Sequence, residues 1–177
     1  MWISVSLLFL ALLFAAVCLV VIWTIKTGIS PMPTSGKAKA LLLAAIPKNH
    51  SGKIVELGSG WGTLLFPLAK KHPLSTIVGY ELSPIPYWFS KLRHCFQPLS
   101  NIKIYRKDFF QIPLNEASIV VCYLFPGAME RLKNKFDREL VSETLVISNT
   151  FAVPGWNPTK VLELNDIYHT KIYIYLK

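Results

Sequence analysis

Three observations in this 177-residue chain predict an α/β fold built on a mainly parallel sheet. From residue 53 onward, apolar runs of strand length alternate with helical stretches. The first run, Lys53 to Leu57, enters a turn with glycines at 58, 60 and 62. The next two runs each lead to an acidic residue, Glu81 and Asp108. Alternation of strand and helix implies parallel pairing with helices on both faces. Ligands of such sheets sit at the carboxyl ends of the strands, where the strand order reverses.

Taken in order, Met1 to Ile25 holds no charged side chain and is mostly Leu, Val, Ile, Phe and Ala. At about 1.5 Å per residue it makes a helix of roughly 36 Å, enough for a hydrocarbon core of about 30 Å. Residues 1–25 are therefore read as a transmembrane helix. A cleaved signal peptide would carry a basic start, a shorter apolar core and a small-x-small cleavage site. A core helix apolar on every face would need a far larger domain around it. Nothing basic but the α-amino group precedes the helix, whereas Lys26, Lys37 and Lys39 follow it, which places the rest of the chain on the cytoplasmic side or an equivalent reducing side. Residues 26–36, with Pro31, Pro33 and Gly36, read as a linker. Residues 37–177 form one domain.

Within it, Lys37 to Ile46 reads as a short helix. Strands follow at Lys53–Leu57, Thr76–Glu81, Asn101–Arg106, Ser118–Leu124 and Thr144–Asn149, separated by helices over Thr63–Lys71, Pro84–Phe96 and Gly127–Leu140. Phe151 to Pro158 breaks the alternation with two prolines and a glycine, and two strands around Asn165-Asp166 end the chain. That ending suits a terminal antiparallel hairpin with no helix of normal length between strands five and six, and in this it resembles the sheet order 3-2-1-4-5-7-6 of class I methyltransferases.

The turn reads Val-Glu-Leu-Gly-Ser-Gly-Trp-Gly from Val55. A dinucleotide fingerprint needs glycine at the sixth position of its motif, where this chain has Thr63, and a phosphate-binding P-loop needs a following Gly-Lys-Ser/Thr. A glycine one residue early suits a ligand with an amino-acid tail and no phosphate. With an acidic residue about twenty positions on to accept ribose hydroxyls, the pattern points to S-adenosyl-L-methionine. The candidate cofactor residues are Glu56, Gly58, Ser59, Gly60, Trp61, Gly62, Glu81, Leu82, Asp108 and Phe109, with Asp108 directed at the adenine amino group. Tyr123, in the Tyr123-Leu124-Phe125-Pro126 segment after strand four, and Trp156, in the proline-bounded loop, are candidate walls of the transfer site; the alternative for each is ordinary packing.

The net charge of +9 lies entirely after residue 25 and implies a basic surface. Beside a bilayer the natural partner is anionic lipid. Nucleic acid is disfavoured, since neither an RNA-binding module nor an Asp/Asn-Pro-Pro-Tyr signature after strand four is present. No metal is expected: Cys95 and Cys122 lack Cys-x-x-Cys spacing and read as reduced, buried thiols, Cys18 sits within the membrane span, and His50, His72, His94 and His169 are scattered.

Gly79-Tyr80-Glu81-Leu82-x-Pro84 with Trp88 and Ser90, Pro33-Thr34, and Phe151-x-x-Pro154-x-Trp156-x-Pro158 resemble the small membrane-anchored lysine methyltransferases of mitochondria and their bacterial relatives. The resemblance runs from about residue 31 to the end. It implies a class I methyltransferase fold, S-adenosylmethionine as cofactor, and a protein lysine as acceptor, since those relatives methylate the adenine nucleotide translocase and the ATP-synthase c subunit. Two positions depart from the family pattern: Trp61 replaces an acidic residue and Thr63 an arginine. The expectation is thus a membrane-tethered protein lysine methyltransferase. The other readings are a methyltransferase for small molecules or lipid head groups, and a cofactor-binding membrane scaffold without catalysis.

Overall fold

The structure, a computed structural model, describes residues 2–27 and 32–177. Residues 28–31 of the expected linker lie outside the described residues. The first helix, α1, spans Trp2–Thr27, and its Val5–Ile25 stretch is long and apolar enough to cross a membrane by length and composition. Helix α2, Gly36–Ala45, opens on Ser35, whose side chain accepts a hydrogen bond from the Ala38 amide. Such a cap is worth about 1 kcal/mol.

The domain continues as β1 (Lys53–Leu57), α3 (Leu65–Lys71), β2 (Thr76–Tyr80), α4 (Pro84–Phe96), β3 (Ile102–Tyr105), a 3-10 turn (Phe109–Gln111), β4 (Ile119–Cys122), α5 (Pro126–Glu139), β5 (Leu145–Asn149), β6 (Lys160–Glu163) and β7 (Lys171–Leu176). The seven strands lie in the order β3-β2-β1-β4-β5-β7-β6, with β1 to β5 parallel and β7 antiparallel to both neighbours. The expected order and terminal hairpin are both present.

Alternation along each strand sends side chains to two cores. Ile54, Ile77, Ile119 and Ile147 pack with Leu42 of α2 and Leu65 and Leu68 of α3. Val55, Val78, Val120 and Val146 pack on the other face with Met129, Leu132 and Phe136 of α5. Both faces are covered, so the central strands carry apolar residues toward both faces, with buried polar residues only near their carboxyl ends, at Glu56 in β1 and at Ser148 and Asn149 in β5.

The observed boundaries differ from the expected ones where turns intervene. Helix α3 starts at Leu65 and not at Thr63, because Gly62 still belongs to the turn, with φ +70° and its amide donating to the Ser59 carbonyl. Strand β3 ends at Tyr105, so Asp108 does not close it; Asp108 caps the 3-10 turn, its Oδ1 accepting from the Phe110 amide at 2.9 Å. Among the described residues no helix joins β5 to β6, as expected; residues 150–159 form an irregular crossover with a turn at Pro154 and Gly155. Of the cysteines, Cys122 is buried and burial pushes its thiol up to about 11, whereas Cys95 is exposed on α4, against the expectation of a buried thiol.

Candidate active site

Strand β1 delivers the chain into the turn 58–62 beside the end of β2. The amides of Gly58 and Ser59 both donate to the Tyr80 carbonyl at 2.9 Å, which fastens the turn across the strand ends. Gly60, at φ +51°, has open space where a Cβ would sit, so a ligand meets bare backbone there. Gly62 is different: a Cβ would stand 2.9 Å from the Phe66 ring and 3.0 Å from Ser90 Oγ, so this glycine serves packing between the turn and α3 and α4.

Glu81 lies one residue beyond β2 and is 8% exposed. Its carboxylate accepts from the Gly60 amide at 2.8 Å and from the Ser83 amide at 2.7 Å. These charge-assisted bonds aim it across the turn and leave it further acceptor capacity. Glu56, near the end of β1, is also buried, and burial together with the negative charge of Glu81 holds its carboxyl well above the usual carboxylate range. Glu56 Oε2 and Ser59 Oγ have no hydrogen-bond partner. Buried polar atoms of this kind normally find one.

These groups open into a cavity of about 220 Å³. Of the expected site residues, Glu56, Gly58, Ser59, Gly60, Trp61, Glu81, Leu82, Asp108, Phe109 and Tyr123 line it. Gly62 does not, for the packing reason given. Nor does Trp156. Its indole nitrogen donates to Asp137 Oδ1 at 3.0 Å, and its ring packs against Phe136 and Tyr175 with the Lys177 ammonium 5.2 Å from its centre. Lys177 follows Leu176, which pairs with the first residue of β5, and Asp137 lies in the last turn of α5. Trp156 therefore sits at the edge where the parallel strands begin, opposite the cavity. The crossover must return the chain to that edge before β6 can run parallel to β5, and it carries Trp156 along.

The cavity also recruits residues that the sequence motifs did not mark as site residues, among them Met32, Thr34, Phe110 and Arg131. Arg131, from α5, lays its guanidinium 3.7 Å from the centre of the Phe110 ring. Among the described residues no group of three or more His, Cys, Asp or Glu side chains could hold a metal ion.

The donor set fits S-adenosylmethionine. Two open buried acceptors suit the amino group of its tail, and the space over Gly60 admits its backbone-hugging part. Residues 56–160 match the ANTKMT methyltransferase domain family. The chain is 28% identical over 156 residues to a protein-lysine N-methyltransferase of Saccharolobus islandicus (strain REY15A), covering 82% of this chain and 91% of that protein. It is 35% identical over 111 residues to the human lysine N-methyltransferase named for the ATP-synthase c subunit, with 62% of this chain and 47% of that protein covered. It is 30% identical over 117 residues to the mouse adenine nucleotide translocase lysine N-methyltransferase, with 65% and 50% covered. The chain thus spans about half the length of these two mammalian relatives. The crystal structure of an RNA methyltransferase from Salinibacter ruber in complex with S-adenosyl-L-homocysteine has the same fold, with a TM-score of 0.74 at 22% identity over 82% of this chain and 93% of that one. The strand order, the glycine turn facing two buried carboxyls and the match over residues 56–160 lead to one conclusion: the chain belongs to the ANTKMT methyltransferase domain family and is an S-adenosylmethionine-dependent methyltransferase.

Proposed function

We propose that this enzyme is a membrane-tethered protein lysine N-methyltransferase whose acceptor is embedded in the membrane or lies against it. The observation that carries the reading is that Met32 and Thr34, just after α1, line the same cavity as the glycine turn, Glu81 and Asp108. A helix long enough to span a bilayer is thus followed, within a few residues of sequence, by residues of the cofactor site, which favours an acceptor near the membrane surface. The relatives named for lysine methylation support the acceptor chemistry.

In this reading Glu81 accepts from the ribose hydroxyls, Asp108 from the adenine amino group, and Leu82 and Phe109 press on the base. Glu56 and Ser59 receive the donors of the amino-acid tail, the backbone of Gly58, Gly60 and Trp61 borders it, and Gly62 holds the turn in shape. When bound, S-adenosylmethionine supplies an electrophilic methyl carbon on a sulfonium. The chain's own work is alignment and exclusion of water, which together can contribute roughly 7 to 11 kcal/mol. Tyr123, half-buried after β4, walls the acceptor side. A lysine amine must arrive unprotonated, and apolar surroundings favour that form.

Incubating the full chain with labelled S-adenosylmethionine and host membranes tests the reading. Label is expected in protein, recovered as methyl-lysine by mass spectrometry, and Tyr123→Ala should slow its appearance by roughly tenfold or more with cofactor affinity unchanged. Label recovered in the lipid extract would establish a head-group enzyme instead. A protein that binds cofactor but labels neither fraction would be a scaffold.

A further inference from the structure

Helix α4 is amphipathic in the reverse of the usual sense. Ser90 and Pro86 are buried, and Ser90 Oγ donates to the Gly60 carbonyl at 3.0 Å. The large apolar side chains face outward instead: Trp88, Phe89, Leu92 and Phe96 are between 50 and 79% exposed. At 100° per residue they fall within one stripe about 100° wide. Single exposed apolar residues are ordinary, but a contiguous stripe marks a surface that meets something apolar.

Three further observations say what covers it. Helix α1 touches α4, and the half-buried positions of α1, Ala16, Cys18, Leu19, Val20, Trp23 and Thr24, all lie in its C-terminal half. The domain therefore sits against the last turns of the candidate span, at the level of the lipid head groups if α1 crosses the bilayer. Lys91 flanks the stripe on α4, and exposed Arg106 and Lys107 stand across an open groove from Tyr87 and Trp88. Trp, Phe and Leu on one face with basic residues beside them is the composition of a helix that lies in an anionic membrane interface.

We infer that α4 seats its Trp88–Phe89–Leu92–Phe96 stripe in the interface of an anionic bilayer, beside α1, and so fixes the cavity mouth toward the membrane surface. Trp61 couples the two regions, since it lines the cavity and packs edge-on against Phe89 with ring centres 5.4 Å apart. The inference rests on the proposed membrane tether and adds the face by which the domain is oriented.

The test uses the full chain in vesicles of phosphatidylcholine and phosphatidylglycerol containing nitroxide-labelled acyl chains. An environment-sensitive fluorophore is placed on Phe96→Cys, with Cys18→Ala and Cys95→Ser, and in a second sample on Cys18 with Cys95→Ser. The Phe96 site should shift to the blue and lose about half or more of its emission, as expected for a face buried ~5 to 10 Å deep. Leu92→Glu should restore its emission while leaving cofactor affinity intact. A quenched Cys18 label with an unquenched Phe96 label would retain the tether and overturn the inference. If neither label is quenched, the tether fails and the inference with it. A Phe96 site shielded only after a membrane protein acceptor is added would make the stripe a protein dock and overturn the lipid assignment.

Discussion

Glu56 and Glu81 show how two neighbouring carboxyls can be partnered differently by their surroundings. The Glu81 carboxylate oxygens accept from two backbone amides, whereas Glu56, buried beside it with an unpartnered oxygen, has its carboxyl pushed well up. A cationic amino group placed against Glu56 would favour its carboxylate, so cofactor binding should release a proton in the window between the bound and free values. Affinity should therefore rise with pH through that window and level off above it. In the free protein the sign is opposite: a carboxyl whose folded pKa is raised binds more protons folded than unfolded, so its contribution to stability falls as pH rises above the ordinary carboxylate range. Glu56→Gln should accordingly raise the melting temperature of the free protein near neutral pH, weaken cofactor binding and flatten its pH dependence. Calorimetry in buffers of different ionisation enthalpy would measure the proton release, and a pH-independent affinity in the parent protein would remove Glu56 from the site. Glu81→Ala should cost on the order of 1.5 to 3 kcal/mol of cofactor affinity per charged hydrogen bond lost. It also leaves the Gly60 and Ser83 amides without their acceptor, so part of the loss will come from a loosened turn. Unchanged affinity, or a preference for NAD, would contradict the assignment.

At the scale of elements, the crossover 150–159 does the work that a helix would otherwise do. Val153 is buried and its amide donates to the Tyr175 hydroxyl at 2.9 Å, while Trp156 covers Phe136 and Tyr175. Trp156→Ala should therefore destabilise the protein by about 2 to 4 kcal/mol, around and below the lower end of the roughly 3 to 5 kcal/mol for core aromatics because the ring is only half-buried. Cofactor affinity and the turnover of the folded fraction should stay near wild type. Denaturant unfolding beside a turnover assay separates the outcomes, and slow turnover at full stability would return Trp156 to the transfer site. The prolines at 154 and 158 restrict the loop backbone as the sequence implies. They do not say toward which edge of the sheet the loop points; that follows from β6 running parallel to β5.

At the scale of the whole molecule, the uncharged stretch 1–25 and the basic residues from Lys26 onward predict that the domain lies on the cytoplasmic or an equivalent reducing side. Protease added to intact cells should leave the domain whole and digest it once the membrane is opened; digestion from outside would reverse the orientation, and an N-terminus already removed would end the tether reading. The strands, the helices and the cofactor were legible in the sequence because their signals are local, and the sheet order came with the resemblance to class I methyltransferases. Strand runs show in apolar periodicity, a ligand-bearing turn shows in Gly58, Gly60 and Gly62, and Glu81 and Asp108 stand at distances fixed by one strand and one helix. Tertiary structure decided the rest. Helical periodicity marks the apolar face of α4, but only packing shows that Ser90 turns inward and Trp88, Phe89, Leu92 and Phe96 turn out. Met32, Thr34 and Arg131 join the cavity from segments far apart in the chain, Trp156 is carried to the opposite edge, and Glu56 loses its ordinary acidity through burial next to Glu81. Each of these depends on which elements meet across the fold, and a pattern confined to neighbours along the chain holds no record of that.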